Sequence, residues 1–122
     1  MSDVKQVIVM RKDLKMRRGK EIAQGAHASM SFLVKKALHH EDFTEPERAW
    51  MEGLFTKVCV RVNSDDELLA VARSAEKEGI RVEIITDSGK TEFGGVPTRT
   101  CLALGPDLAS KVDAVTGSLE LY

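Results

Sequence analysis

Alternating apolar and polar segments along the chain predict an ordered series of strands and helices. The run Val7-Ile8-Val9-Met10 is unbroken by any polar residue, as is typical of a short buried strand. Four segments have the pattern of strands: 5–11, 57–62, 80–86 and 98–104. The second has valine at every other position and polar residues between, which suits a strand at the edge of the sheet.

Helical periodicity and capping residues predict four helices between and after these strands. They occupy 19–38, 44–53, the segment that follows Ser64 as far as Gly79, and the segment from Asp107 to Gly117. Thr44-x-x-Glu47 matches a capping box, and Ser64 caps the third helix in the same way. Gly105-Pro106 is expected to end the fourth strand, with Asp107 capping the last helix.

The first helix has an unusual polar stripe. Its members fall within about 60° on the helical wheel; they are Lys20, Gln24, His27 and Ser31. This face thus carries an ammonium, an amide, an imidazole and a hydroxyl. Such a set is more typical of a functional site than of a solvated helix surface. The opposite side is apolar, and we expect it to face the core; it holds Ile22, Ala26, Met30, Leu33 and Ala37.

Strands that alternate with helices predict an α/β fold with right-handed crossovers. The first three strands can then be parallel, and the fourth should run antiparallel because no helix separates it from the third. The carboxyl ends of strands one and three would share one edge of the sheet with the start of strand four. We therefore expect Lys20, Asp87 and Thr98 to meet there. The long 87–98 connection is typical of a functional loop, although its residues also suit an ordinary turn.

Length, composition and charge limit the number of domains and the kinds of function that the chain can have. With 122 residues, 43% of them hydrophobic, the chain is expected to form one domain over 1–122. A formal net charge of −1 argues against a protein that coats nucleic acid indiscriminately. Six basic residues and one acidic residue nevertheless lie between Arg11 and Lys20, before a helix N-terminus. This pattern suits a local anion contact, although a basic cluster alone is also typical of a solvated loop. Candidate phosphate contacts are Arg17, Arg18, Lys12 and Lys15.

The remaining sequence signals are mostly negative. Cys59 and Cys101 lie in apolar strands and are interpreted as reduced core residues. The cluster at 39–42 is interpreted as a solvated helix end, so we expect no metal site and no cofactor. The sequence has neither a signal-peptide pattern nor an apolar run of membrane-spanning length. We expect a cytoplasmic protein with no membrane partner.

Several separated motifs resemble one family in the same order. They are Met16-x-x-Gly19-Lys20-x-x-x-Gln24-x-x-His27-Ala28, Asp87-x-Gly89-x-Thr91-Glu92, Thr98, Gly105-Pro106 and Asp113-x-Val115-Thr116-Gly117-x-Leu119-x-Leu121-Tyr122. The chain thereby resembles the type II peptidyl-tRNA hydrolases over nearly its whole length. The resemblance implies a three-layer α/β/α sandwich around a four-stranded mixed sheet of order 2-1-4-3, tRNA as partner and a homodimer. It also implies hydrolysis of the ester that joins a peptide to the 3′ ribose of tRNA.

That reaction needs a positioned water, an oxyanion donor and an anchor for phosphates. The sequence has no G-x-S-x-G elbow and no cysteine in an activating setting, which favours direct attack by water. The motif positions assign the catalytic set to Lys20, Asp87, His27, Thr98, Thr91 and Gln24. Either Asp87 or His27 could take the proton, and Lys20 could bind the oxyanion or the terminal phosphate. Thr91 and Thr98 would donate hydrogen bonds.

Two other functions compete with this hypothesis. The first is a tRNA- or protein-binding module that has the same scaffold without turnover. The second is hydrolysis of a different small ester or amide at the same site. A pure binding module has no evident need for the Asp87 carboxylate beside phosphates, and this favours the enzyme.

Overall fold

The computed structural model describes residues 3–90 and 92–122. Its strands are β1 (Val4–Arg11), β2 (Lys57–Val62), β3 (Val82–Asp87) and β4 (Thr98–Leu108). Its α-helices are α1 (Arg18–Leu38), α2 (Glu45–Glu52), α3 (Asp65–Lys77) and α4 (Ala109–Thr116). A 3₁₀ turn, Phe93–Gly95, lies in the connection between β3 and β4. No helix in the described part of the chain is long and apolar enough to cross a membrane.

The four strands form one mixed sheet in the order β2-β1-β4-β3. β1 and β2 are parallel, whereas β4 is antiparallel to both β1 and β3. This confirms the predicted order and directions, including the edge position of β2. The carboxyl ends of β1 and β3 therefore lie at the edge where β4 begins.

Helices cover both faces of the sheet because the strand residues alternate between two apolar clusters. Val7, Val9 and Leu104 of the sheet pack with residues of α3 and α4, such as Leu68 and Val112. The second cluster, against α1, consists of Ile8, Met10, Met16, Ala28, Cys101 and Ala103. α2 joins this layer through Trp50, whose ring packs edge-on against Phe32 of α1. The three-layer α/β/α arrangement is thus confirmed.

The prediction for the buried face of α1 is wrong. Ile22 and Met30 are 67% and 54% exposed, and Ala26 and Ala37 are exposed as well. The buried residues are instead Gln24, Gly25, Ala28, Phe32 and Lys36. Polar side chains can face inward here because each one finds a polar partner, which removes the cost of burying it. An apolar strip of α1 therefore remains at the surface.

Lys36 illustrates how such a partner is supplied. Its ammonium lies 2.5 Å from Glu47 of α2, and the two side chains are only 7% and 3% exposed. Glu47 also completes the predicted capping box with Thr44 at the start of α2. One carboxylate thus fixes the start of α2 and ties it to the end of α1.

The predicted boundary between the last strand and the last helix is also wrong. β4 continues past the cis Gly105–Pro106 peptide, because Asp107 and Leu108 pair with Lys5 and Val4 of β1. A register shift in the β1–β4 pairing, between Lys5 and Val7 of β1, accommodates the interruption. α4 consequently begins at Ala109 and has Leu108 as its N-cap residue. Its predicted end at Gly117 is confirmed.

Candidate active site

Lys20 and Asp87 meet at the carboxyl edge of the sheet. Lys20 lies in the first turn of α1, and Asp87 is the last residue of β3. Lys20 Nζ donates to Asp87 Oδ1 over 2.7 Å, and the two side chains are 15% and 11% exposed. Two segments 67 residues apart thus form one partly desolvated ion pair.

Two further donors hold the Asp87 carboxylate. Gln24, one turn after Lys20, has Nε2 at 3.4 Å from Oδ1, and the Gly89 amide donates to Oδ2 over 2.8 Å. The hydrogen bond from Lys20 lowers the pKa of Asp87, with a further contribution from that of Gly89. The charges of Lys20 and His27 act in the same direction. Asp87 is therefore a carboxylate at neutral pH.

Gly89 is required by the backbone of the loop that follows β3. Its φ is +83°, and a Cβ built there would lie 2.4 Å from the Val96 carbonyl oxygen. The two halves of the loop are joined at this point, since the Gly95 amide donates to the Gly89 carbonyl. This close approach places the Gly89 amide beside Asp87.

The other predicted catalytic residues are less closely connected to the ion pair. His27 is exposed on α1, one turn beyond Gln24, and near enough for its charge to act on Asp87. Thr98 is the cross-strand partner of Asp87, but its hydroxyl donates to the Val96 carbonyl over 2.8 Å. Thr91 lies outside the described residues.

The predicted phosphate contacts surround the start of α1. Arg17 Nε donates to Glu92 in the β3–β4 loop over 2.8 Å, with the Arg17 side chain 82% exposed. Lys12 and Lys15 are exposed in the turn before α1. Arg18 is exposed and also lines an apolar groove of about 490 Å³ between α1 and β2. Within the described residues of the loop after Asp87, Arg17 is the one of the four that makes a contact.

Sequence reasoning missed Thr100, which is fully buried beneath the site. Its hydroxyl donates to Gln24 Oε1 over 2.5 Å. Simple alternation groups Thr100 with Leu102 and Leu104, which face α3 and α4. A one-residue register shift in the β3–β4 pairing breaks that alternation, and the chain before β4 contains no obvious signal for it.

Neither cysteine is suited to nucleophilic attack. Both thiols are free, and burial raises the pKa of Cys101 to about 12. Burial likewise raises the pKa of Cys59. Thiolates, which are the reactive form, are consequently scarce at neutral pH. Within residues 3–90 and 92–122, no three His, Cys, Asp or Glu side chains are grouped as metal ligands would be.

The fold and the site define a class: an α/β sandwich with a polar, ion-paired site at the carboxyl edge of its mixed sheet. The family model described as peptidyl-tRNA hydrolase PTH2 matches residues 4–122. The chain belongs to this family.

Known relatives match the chain over almost its full length. A peptidyl-tRNA hydrolase from Nanoarchaeum equitans is 45% identical over 98% of this chain and 99% of its own. One from Haloquadratum walsbyi is 40% identical over 98% of this chain and all of its own. A solved structure of a protein of unknown function from Agrobacterium tumefaciens strain C58 shares the fold. It has a TM-score of 0.61, 14% identity and coverage of 100% of this chain and 99% of its own.

Proposed function

We propose that this protein hydrolyses the ester bond between the peptide and the 3′ ribose of peptidyl-tRNA, and so recycles tRNA. The Lys20–Asp87 ion pair carries the proposal, because it combines an acceptor for water with a cation at the helix end. Family membership supports the same reaction, since the relatives at 40% to 45% identity are named for it. No cofactor is part of the proposal.

Asp87 is proposed to bind and orient the attacking water. Its lowered pKa supports this role, because an ionised carboxylate accepts hydrogen bonds from water and is a weak base. The proton can pass to Asp87 or to His27, which is exposed on the same side of α1. The His27→Asn variant separates the two routes, because only a rate loss of roughly 10²-fold or more is consistent with His27 as the base.

Lys20 is proposed to stabilise the oxyanion that forms when water attacks the carbonyl carbon. An ammonium has three N–H donors, so one lysine can serve more than one acceptor. Gln24 would keep the carboxylate oriented, while Thr91 would donate to the carboxylate or the substrate. Thr98 would do the same once its hydroxyl releases the Val96 carbonyl. A grip on the terminal phosphate is the alternative role for Lys20.

The tRNA backbone is proposed to bind at the N-terminal end of α1. Arg17 and Arg18 lie at the N-terminal end of α1, where the helix dipole favours an anion, and Lys12 and Lys15 extend the positive surface. Contacts to phosphates fit an enzyme that serves all tRNAs, because the backbone carries no base identity. The protein would then act in the cytoplasm, where translation supplies peptidyl-tRNA.

The test is cleavage of N-acetyl-aminoacyl-tRNA by the purified protein. We expect turnover of this ester and much slower cleavage of p-nitrophenyl acetate, which lacks the tRNA. Binding of tRNA without cleavage would instead support the binding module. Equal turnover of both esters would indicate a general esterase. The homodimer implied by the resemblance stays a prediction, which sedimentation equilibrium of the same preparation can test.

A further inference from the structure

Thr100 occupies a bulge in the strand beneath the site. In the β3–β4 pairing, Ile85 lies opposite Cys101 and Thr86 lies opposite Arg99, so that Thr100 is the extra residue. Bulges are frequent beside active sites, where they redirect a side chain. This one directs the Thr100 hydroxyl to α1 instead of α3.

The Thr100 hydroxyl anchors a buried amide. Gln24 is 3% exposed, and its Oε1 accepts from Thr100 over 2.5 Å. Its Nε2 then lies on the side of Asp87, at 3.4 Å from Oδ1. The reversed amide would place an oxygen against the Asp87 carboxylate and lose that hydrogen bond, whereas the Thr100 hydroxyl could still accept from Nε2. Asp87 thus selects the orientation of the amide, and Thr100 holds its other end in place.

We propose that Thr100 is a positioning residue for ester hydrolysis, which acts by holding the Gln24 amide so that its N–H directs the Asp87 carboxylate. The inference rests on the proposed function. Thr100 does not touch the substrate in this account. Its contribution reaches the reaction through Gln24 and then Asp87.

Three substitutions test this role. Thr100→Val keeps the shape and removes the donor, whereas Thr100→Ser keeps the donor. Thr116→Val is the matched control, because Thr116 is also buried and its hydroxyl donates to the Val112 carbonyl within α4. With N-acetyl-aminoacyl-tRNA, we expect Thr100→Val to lower kcat roughly 10-fold at nearly constant KM. Thr100→Ser and Thr116→Val should stay within about twofold of the wild type.

A double-mutant cycle separates positioning from general destabilisation. If Thr100 acts through Gln24, Thr100→Val causes no further loss of kcat in a Gln24→Ala background. If the loss of kcat in the double variant equals the product of the losses in the two single variants, the proposal is overturned. An unchanged kcat in Thr100→Val, or an equal loss in Thr100→Ser, would overturn it as well.

A readout without turnover keeps the inference separate from the proposed function. In ¹⁵N-labelled protein, the Gln24 side-chain amide is identified by its absence in Gln24→Ala. We expect slow exchange of its protons with solvent in the wild type and in Thr100→Ser, and fast exchange in Thr100→Val. If the wild type cleaves no peptidyl-tRNA, the proposed function fails while this comparison still decides whether Thr100 orders the amide. Equal exchange in Thr100→Val and the wild type would overturn the inference.

Discussion

The Asp87 carboxylate is surrounded by hydrogen-bond donors. Both of its oxygens are occupied, one by Lys20 and the other by the Gly89 amide. Charge-assisted hydrogen bonds to a carboxylate stabilise its ionised form, which is why the pKa of Asp87 is lowered. The same lowering limits Asp87 as a proton acceptor, so its orientation matters more to the proposed reaction than its basicity.

Removal of the Lys20 ammonium should raise the pKa of Asp87. In Lys20→Met, the carboxylate loses its main stabilising hydrogen bond and the associated positive charge. The Asp87 carboxyl should then titrate at a higher pH than in the wild type, as followed by its ¹³C chemical shift. Lys12→Met is the control, because Lys12 is exposed in the turn before α1. An unchanged pKa of Asp87 in Lys20→Met would contradict the conclusion that Lys20 lowers it.

At the residue scale, topology made part of the site predictable. Lys20 and Asp87 could be placed together because parallel strands share an edge with the start of an antiparallel one. Thr100 could not, because a one-residue register shift reverses the side it faces. The Arg17–Glu92 contact could not be predicted either, since it depends on the conformation of the β3–β4 loop.

At the element scale, the β3–β4 loop contacts the start of α1 through Glu92. A carboxylate on Arg17 occupies the same guanidinium that a tRNA phosphate would need. The pair is largely open to solvent on the arginine side, so it is weak and phosphate can displace it. If tRNA binds at Arg17 as proposed, Glu92 competes with a tRNA phosphate for this guanidinium.

The Glu92→Gln variant should bind tRNA more tightly. With the competing charge removed, Arg17 meets phosphate without first releasing a carboxylate, and we expect a decrease in Kd of roughly threefold. Filter binding of deacylated tRNA measures this change. Glu76→Gln, at an exposed position of α3, is the control and should leave Kd unchanged. Weaker binding by Glu92→Gln would contradict the competition.

α1 shows where pattern reasoning fails at this scale. A helical wheel assigns the apolar side to the core, yet Gln24 and Lys36 are buried while Ile22 is exposed. The pattern of apolar and polar positions carries no information on whether a polar side chain has a partner in another element. The strands were predicted to within two residues of their observed ends, apart from the extension of β4 beyond Pro106. They too contain buried polar residues with partners in α1, namely Gln6, Glu83 and Thr100.

The buried Lys36–Glu47 pair should matter for stability. In Glu47→Ala the ammonium stays buried without its counterion, and α2 also loses its capping box. The free energy of unfolding should fall by about 3 kcal/mol. Urea denaturation measures it, with Glu45→Ala, an exposed residue of the same helix, expected within about 0.5 kcal/mol of the wild type. A similarly small effect of Glu47→Ala would show that the pair contributes little.

At the scale of the whole molecule, the start of α1 carries a local excess of positive charge. The chain has a net charge of −1, but six of its 18 basic residues lie between Arg11 and Lys20, with a single acidic residue among them. Under the proposed function, this excess would help to orient bound tRNA with its 3′ end near Asp87. It also predicts a moderate dependence of affinity on salt.

Combined Arg17→Ala and Arg18→Ala substitutions should weaken tRNA binding and flatten its salt dependence. Fewer counterions are released when fewer phosphates are contacted, so the slope of log K against log salt should fall by about 1 to 2. The kcat at saturation should be preserved. A double Arg73→Ala and Lys77→Ala variant of α3 provides the matched control of charge. An unchanged slope in the α1 variant would place the tRNA surface elsewhere.

The most direct test is the kcat of Asp87→Asn on N-acetyl-aminoacyl-tRNA. Asp113→Asn is measured beside it, because Asp113 is also ion-paired, with Lys5 near the opposite end of β1. The account predicts a loss of roughly 10²-fold or more for Asp87→Asn and wild-type turnover for Asp113→Asn. Wild-type turnover by a folded Asp87→Asn protein would contradict the central role of the Lys20–Asp87 pair.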